Sequence, residues 1–253
     1  MGHWYTAAGE AMHKVPNVSG GGMRDTKITD ARKLNLFPSV TTIIGLEHKP
    51  GLVQWLVNQA YMQAMTTPVI PGESPDAYIK RCKRAEREDL DGMAKIGGDI
   101  HNAIEILFKR GKTYGPHVDT AYAVRDLVFE LTGKRSGFVA EKRFASKLGF
   151  GGMIDLHHPD GDGFVIDYKS KDFTEDTADK RMHWNDQLMQ LAAYARGIEL
   201  PKSKLINIYV SRQVSGLVRH HVWTQEDSDR AWAEFKCLLE LWQVRNNHIP
   251  VKA

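Results

Sequence analysis

The stretch from Val139 to Lys171 constrains the fold more than any other part of the sequence. Gly161-Asp162-Gly163 is a turn signal that separates two segments of strand-like composition. The second segment is the apolar run Phe164-Val165-Ile166, which leads directly into Asp167-Tyr168-Lys169. The pattern therefore predicts a β-hairpin whose second strand ends in an acid and a lysine.

Three charged side chains of this hairpin form a candidate site. Residues i and i+2 of a strand project to one face, so Asp167 and Lys169 point together while Tyr168 points away. Asp155, on the preceding strand, can reach the same patch. Two carboxylates suit Mg²⁺, and a lysine can orient or deprotonate a water or stabilise phosphate charge. The pattern indicates metal-assisted phosphodiester hydrolysis, although a surface salt bridge at a strand end would use the same residues.

Four short motifs, in chain order, make the sequence resemble the PD-(D/E)XK nuclease superfamily and, within it, the RecB-like exonuclease branch. They are Gly98-Asp99-Ile100-His101, Gly152-Met153-Ile154-Asp155, Asp167-Tyr168-Lys169 and Gln190-Leu191-Ala192-Ala193-Tyr194. Pro38-Ser39-Val40-Thr41 also resembles a segment of phage-type and mitochondrial single-strand DNA exonucleases of this branch. The resemblance covers about residues 36–225. Ile154 stands where the superfamily name has proline, which is usual in this branch.

The resemblance implies a metal site. It implies that His101, Asp155 and Asp167, with the backbone carbonyl of Tyr168, bind Mg²⁺ or Mn²⁺. Lys169 is then the catalytic group that positions or activates the attacking water. From its sequence alone, a single helical histidine is more often a packed or surface residue, so the ligand role of His101 depends on the resemblance.

Four further residues are accessory candidates. Gln190 and Tyr194 are four residues apart and share a helix face, which in this family meets the DNA backbone near the metal. Glu105 shares a face with His101 and is a candidate partner for its imidazole. Glu141 is either a distant metal ligand or an ion-pair partner of Lys142 or Arg143.

The expected fold class is α/β, with a central mixed β-sheet flanked by helices, a restriction-endonuclease-like core and an N-terminal helical extension. Residues 1–35 are polar and glycine-rich, which predicts a poorly packed arm or a short hairpin. Residues 36–253 are expected to form the nuclease domain. Within it we expect a helical wall over residues 36–135 and a catalytic core over residues 136–253.

Hydrophobic periodicity and capping residues predict the helices. Ser39 and Thr224 are candidate N-caps, and Gly197 is a candidate C′ glycine. Trp55 is expected in the core, with base stacking as the alternative. The expected helices are 38–46, 50–65, 76–90, 91–110, 117–132, 184–197 and 225–247.

The charge composition limits how this protein could bind a nucleic acid. Lys and Arg total 34 against 31 Asp and Glu, so a nucleic acid would need a local basic groove rather than a global field. Lys80, Arg81, Lys83 and Arg84 are candidates for phosphate contact, but the acids among them favour a solvated helix face.

Cysteine usage and hydropathy point to a cytoplasmic protein. The chain has 2 cysteines, far apart, which predicts a reducing compartment and excludes the four-cysteine iron–sulfur cluster of some RecB-like nucleases. No apolar run approaches the roughly 18 residues of a membrane span, so no membrane association is expected. The expected location is the cytoplasm, that of a bacterial host if the protein is phage-encoded.

These expectations combine into one function. The chain is expected to be a Mg²⁺- or Mn²⁺-dependent deoxyribonuclease, an exonuclease that acts on single-stranded DNA ends in phage or prophage recombination or DNA processing. A recombination protein or single-strand-binding protein is a candidate partner. A structure-specific endonuclease, which shares the site, is one alternative. A non-catalytic DNA-binding subunit is another, and intact Asp155, Asp167 and Lys169 argue against it.

Overall fold

A computed structural model describes residues 2–17 and 20–251 and shows an α/β fold. The strands are β1 (Trp4–Tyr5), β2 (Lys14–Pro16), β3 (Met23–Asp25), β4 (Phe37–Pro38), β5 (Val139–Ala145), β6 (Gly151–His158), β7 (Phe164–Lys171), β8 (Lys204–Ser211) and β9 (Val218–Val222). The α-helices are α1 (Ile28–Leu34), α2 (Val40–Ile44), α3 (Pro50–Thr66), α4 (Pro75–Arg110), α5 (Val118–Thr132), α6 (Asn185–Gly197) and α7 (Gln225–Asn246).

The central sheet is mixed and has five strands in the order β5-β6-β7-β8-β9. Neighbouring strands are antiparallel except β7 and β8, which are parallel and are connected by the crossover helix α6. Parallel neighbours need such a crossover, whereas the antiparallel β6–β7 pair needs only the short turn at Gly161-Asp162-Gly163. The predicted hairpin and the predicted α/β class are both confirmed.

A hydrophobic core lies on each face of the sheet. On one face, the buried residues Val165 and Leu205 pack with side chains of α6 and α7. On the other face, Ile166 and Ile206 pack with the C-terminal part of α4 and with α5. Because neighbouring residues of a strand face opposite ways, each central strand must be apolar at nearly every position, which explains the runs Phe164–Ile166 and Leu205–Ile208.

Two predicted N-caps are confirmed and one predicted C-cap is wrong. The Ser39 side chain accepts a hydrogen bond from the Thr42 backbone N–H, and the Thr224 side chain accepts one from the Asp227 N–H. Gly197 is still helical, and Glu199 beyond it takes the left-handed conformation, with φ 64°. Gly197 has a packing role instead, because a Cβ there would overlap the ring of Phe144.

The N-terminal segment is packed, which corrects the expectation of a loose arm. Trp4 and Tyr5 are buried, and β1 pairs with β4. The indole N–H of Trp4 donates to the Thr26 carbonyl at 3.1 Å. The alternative, a short hairpin, is present as the antiparallel pair β2–β3. Aromatic residues that bury a large apolar area explain why this polar, glycine-rich segment is held.

Contacts divide the chain into two units that differ from the expected wall and core. One unit contains the residues up to Leu46 and those from Ile100 onward, and the other is Glu47–Asp99. The first unit includes the end of α4 and all of α5 because Ile100 and Ile104 are buried in the sheet's core. α4 is one helix over Pro75–Arg110, where the sequence predicted two that met at Leu90 and Asp91.

The Glu47–Asp99 unit contains α3 and the first part of α4. Tyr78 of α4 donates from its hydroxyl to the Thr67 carbonyl at 3.1 Å. Trp55 is 41% exposed, so the expectation of a core tryptophan is wrong. Arg81 forms an ion pair with Glu73 at 2.8 Å, whereas Lys80, Lys83 and Arg84 are exposed, as expected for a solvated helix face.

Two expectations from composition can be compared with the fold. Cys82 and Cys237 are both free thiols. No helix in the described part of the chain combines the length and the apolar composition needed to cross a bilayer.

Candidate active site

The candidate site lies where β6 and β7 separate. Their ladder runs from His158–Phe164 to Leu156–Ile166, so Asp155 and Asp167 come next on the two strands. The Tyr168 backbone N–H donates to Asp155 Oδ2 at 2.8 Å. The Asp155 carboxylate thus takes the place that a strand carbonyl would occupy in a continued ladder, and this fixes it in the gap between the strands.

Beside Asp155, the side chains of β5 and β6 switch from one face of the sheet to the other. Ala140 and Leu156 pack in the core on the α4 and α5 side, whereas Phe144 and Ile154 pack in the core on the α6 and α7 side. On a regular strand, side chains an even number of residues apart point to the same face. The alternation of side chains must therefore reverse between Ala140 and Phe144 in β5 and between Ile154 and Leu156 in β6. The reversal falls at Glu141, which has φ 57°, a conformation uncommon for residues other than glycine. The pairing register on either side of Glu141 is unchanged.

Asp167 is held by three side-chain donors. Lys169 Nζ lies 2.9 Å from Asp167 Oδ2, and Gln190 Nε2 donates to Asp167 Oδ1 at 3.1 Å. Asn207 Nδ2 donates to Asp167 Oδ2 at 3.1 Å. Asp167 is only 2% exposed, and a buried carboxylate requires such partners. Asp167 and Lys169 project to one face, as the sequence predicted.

Gln190 has one possible orientation. Its Oε1 accepts from Lys169 Nζ at 3.0 Å, and because an ammonium can only donate, Nε2 must face Asp167. The same Nε2 also donates to the Tyr194 hydroxyl at 2.9 Å. Tyr194 is 5% exposed and its ring packs edge-on against Phe144. Tyr194 therefore supports Gln190 from inside the protein, which corrects the expectation that it meets a DNA backbone.

His101 approaches from the opposite side of the sheet. Its Nδ1 lies 3.6 Å from Asp155 Oδ2, and its ring packs edge-on against Tyr168, with centroids 5.8 Å apart. Asp155 lies between it and the Asp167 cluster. Glu105, the candidate partner of this imidazole, instead pairs with Lys109 at 2.6 Å, the residue one helical turn further on. The expectation for Glu105 is therefore wrong.

Two acids of the site have raised pKa values because they are buried next to other carboxylates. Burial, and then the nearby charge of Asp167, raise the pKa of Asp155 to about 6. Burial, and then the charges of Asp155 and Glu105, raise the pKa of Glu141 to about 7. Within residues 2–17 and 20–251, Glu141 forms no ion pair with Lys142 or Arg143, so the ion-pair alternative for Glu141 is wrong.

Burial and the neighbouring carboxylates also change the pKa values of Lys169 and Tyr168. Burial acts to lower the pKa of Lys169, but the carboxylates of Asp167 and Asp155 outweigh it and raise that pKa. Lys169 is therefore an ammonium at neutral pH. Burial raises the pKa of Tyr168 well above its usual range, and its buried hydroxyl has no hydrogen-bond partner in the described part of the protein.

Asn207 is a site residue that sequence reasoning missed. It is completely buried in β8, and the parallel register places it directly beside Asp167. Its Oδ1 accepts from the indole N–H of Trp223 at 2.8 Å. The available signal was a single amide inside the apolar run Leu205–Val210, because a buried polar side chain requires a specific partner.

The donor set fits a hard divalent cation by its chemistry. Two carboxylates, an imidazole and a backbone carbonyl are ligands that Mg²⁺ or Mn²⁺ accepts. Burial, and then the charge of Asp167, raise the pKa of Asp155, and a bound cation would counter both effects. Among the described residues, however, no three His, Cys, Asp or Glu side chains already converge into a metal-binding arrangement.

Comparisons with known proteins identify no family. No known family model matches the sequence, and no curated protein is similar to it. Among solved structures, "Crystal structure of SSO0001" matches with a TM-score of 0.34 and 12% sequence identity, over 74% of this chain and 85% of that chain. A similarity this distant does not identify a function.

Proposed function

We propose that the chain is a metal-dependent DNA exonuclease that hydrolyses phosphodiester bonds at single-stranded ends. One observation carries the proposal: Asp155 and Asp167 directly follow the last residue pair of the β6–β7 ladder, with the Lys169 ammonium bound to Asp167. Two carboxylates and an ammonium thus lie close together where the β6–β7 ladder ends. Such a group suits an anionic substrate that must approach carboxylates without being repelled.

The lysine acts as a cation in this proposal. Because its pKa is raised, Lys169 holds its proton at neutral pH and does not serve as a general base. It donates to Asp167 and Gln190, and it can turn a further N–H toward a phosphate oxygen or a water. Lys169 thereby positions the water and stabilises the negative charge that develops on the phosphate.

Glu141 is the side chain best suited to exchange a proton. In the metal-free protein, burial and then the charge of Asp155 raise its pKa to about 7, so this carboxyl takes up and releases a proton more readily near neutral pH than an ordinary glutamate. It lies opposite Asp155 on the neighbouring strand, at the point where the strands change faces. Its carboxylate can accept a proton from a water at the site and return it.

Asp155, Asp167, His101 and the Tyr168 carbonyl would hold the metal ion. A bound Mg²⁺ or Mn²⁺ would polarise the phosphate and stabilise the leaving oxygen. Asp155 is kept in place by the Tyr168 N–H, and Asp167 by Lys169, Gln190 and Asn207.

The preference for single-stranded ends rests on the resemblance to phage-type and mitochondrial single-strand DNA exonucleases, to which Pro38-Ser39-Val40-Thr41 contributes. The mild net charge of +3 favours a ligand that is gripped locally at the site over one bound along a broad basic surface. A recombination or single-strand-binding protein would then supply or protect such ends in the cell.

The test uses end-labelled linear and closed circular single-stranded DNA, with Mg²⁺, Mn²⁺ or EDTA. We expect metal-dependent loss of linear DNA only. Asp167→Asn should abolish cleavage, while the exposed control Asp176→Asn should cut like the wild type. Cutting of circles would indicate an endonuclease. Binding without cutting by the wild type would indicate a non-catalytic subunit, and either result would overturn the proposal.

A further inference from the structure

Asn207 connects Asp167 to the indole of Trp223, the residue that directly follows β9. Its Nδ2 donates to Asp167 Oδ2 at 3.1 Å, and its Oδ1 accepts from Trp223 Nε1 at 2.8 Å. Asn207 is completely buried, so water cannot replace either bond. The three side chains therefore form a continuous hydrogen-bonded chain that ends on one of the two central acids.

The indole decides which way the Asn207 amide points. An indole N–H can only donate, so it must face the amide oxygen, and the NH₂ group is left facing Asp167. In the reversed orientation two donors would meet at Trp223 and two acceptors at Asp167. Gln190 is oriented by the same logic on the other oxygen, with the Lys169 ammonium as the group that can only donate.

Trp223 is itself held by two histidines. The rings of His183 and His221 are stacked, with centroids 3.8 Å apart and an interplanar angle of 9°. His221 packs edge-on against Trp223 at 4.3 Å, and His183 does so at 5.5 Å. His183 belongs to the segment that precedes α6 and His221 belongs to β9, so Trp223 is contacted from both.

We propose that Trp223 is a positioning residue that acts on Asp167 through Asn207. By orienting the amide, it keeps an N–H donor on Asp167 Oδ2 and fixes the direction of the carboxylate. The functional part of this inference rests on the proposed nuclease activity, in which Asp167 is a metal ligand. The hydrogen-bonded chain itself can be tested without that activity.

Trp223→Phe is the informative variant because it keeps the aromatic ring and removes only the N–H. Partners that orient metal ligands typically contribute about 10–100-fold to metal affinity or activity. We expect about a 10-fold loss of Mn²⁺ affinity, measured by electron paramagnetic resonance without DNA, and a similar loss of kcat with KM unchanged. Trp4→Phe is the matched control, since it removes another buried indole hydrogen bond, to Thr26, far along the chain from Asp167.

A double-mutant cycle separates positioning from general packing. If Trp223 acts through Asn207, then Trp223→Phe should add no further loss in an Asn207→Ala background. Additive losses, or a Trp223→Phe variant with the Mn²⁺ affinity and kcat of the wild type, would overturn the inference. If Trp223→Phe and Trp4→Phe both lose stability while both variants keep the Mn²⁺ affinity of the wild type, the Trp223–Asn207 hydrogen bond serves packing alone and the inference is overturned.

A third readout does not depend on metal or DNA. The Trp223 indole N–H should give a slowly exchanging NMR signal that shifts in Asp167→Asn, because the change is transmitted through Asn207. The Trp4 indole signal should stay in place. If the wild type binds no Mn²⁺ and cuts no DNA, the proposed function fails, and this experiment still decides the inference: an unmoved Trp223 signal overturns it.

Discussion

Asp155→Asn should stabilise the metal-free protein at neutral pH while abolishing cleavage. The pKa of Asp155 is about 6 against an ordinary value of 3.8, because burial and the Asp167 charge disfavour its ionised form. At about 1.36 kcal/mol per pH unit, this shift costs up to roughly 3 kcal/mol when Asp155 is ionised. Asparagine removes the charge and keeps an oxygen that can accept from the Tyr168 N–H.

The stabilisation should depend on pH with a defined sign. Below about pH 3.8 the carboxyl is protonated in both the folded and the unfolded protein, so wild type and variant should be equally stable. The cost to the wild type develops between about pH 3.8 and 6 and is complete above pH 6. We expect a gain of about 1–3 kcal/mol at pH 7.5, or roughly 2–12 °C in Tm.

The assay is urea and thermal unfolding followed by circular dichroism, in EDTA, from pH 4 to pH 8. Asp176→Asn makes the same change at an exposed position and should stay within about 0.5 kcal/mol of the wild type at every pH. An Asp155→Asn variant that is less stable than the wild type at pH 7.5 would refute the reasoning. So would a gain of equal size at pH 4 and pH 7.5.

Three further predictions concern other parts of the site and its support. Lys169→Met should lower the single-turnover rate by about 10²–10³-fold because a donor to the developing phosphate charge is lost, with Mn²⁺ affinity retained in calorimetry; collapse of that affinity would make Lys169 a structural residue only. His101→Ala should raise the Mn²⁺ concentration needed for activity more than the Mg²⁺ concentration, since imidazole suits Mn²⁺ better; unchanged metal curves would exclude ligation. Gly197→Ala should cost about 1–3 kcal/mol of unfolding free energy because its Cβ would overlap the Phe144 ring; wild-type stability in urea would contradict that packing.

Local signals in the sequence predicted the parts of the fold that local physics determines. The turn at Gly161-Asp162-Gly163 and the caps at Ser39 and Thr224 involve residues a few positions apart. The i, i+2 spacing likewise placed Asp167 and Lys169 on one face of β7. These features follow from backbone geometry and hydrogen bonding within a single element.

Tertiary contacts determined the features that the sequence did not reveal. A glycine at position 197 is typical of a helix end, but here its lack of a side chain makes room for the ring of Phe144, a residue of β5. Tyr194 belongs to a polar-looking helix face, yet that face is buried against the sheet. Asn207 becomes a partner of Asp167 only through the parallel register of β7 and β8.

The backbone of Glu141 is a further example. Its positive φ lies where the side-chain alternation of β5 reverses, and β6 reverses beside it, so a strand pattern read with a strict period of two misassigns one half of each strand. No residue type with a known preference for this conformation marks the position. The reversal is imposed by the two cores, which require apolar side chains on opposite faces at the two ends of the same strand pair.

The parallel pairing of β7 with β8 also sets the order in which the site can assemble. Asp155 and Tyr168 are 13 residues apart and meet through one short turn. Gln190, within α6, is 23 residues from Asp167, and Asn207, beyond α6, is 40 residues from it. Contacts between distant residues form later because a longer loop must close first. A nascent chain that has folded the β6–β7 hairpin but not yet added α6 and β8 therefore contains the acids and the lysine without the amides that orient them.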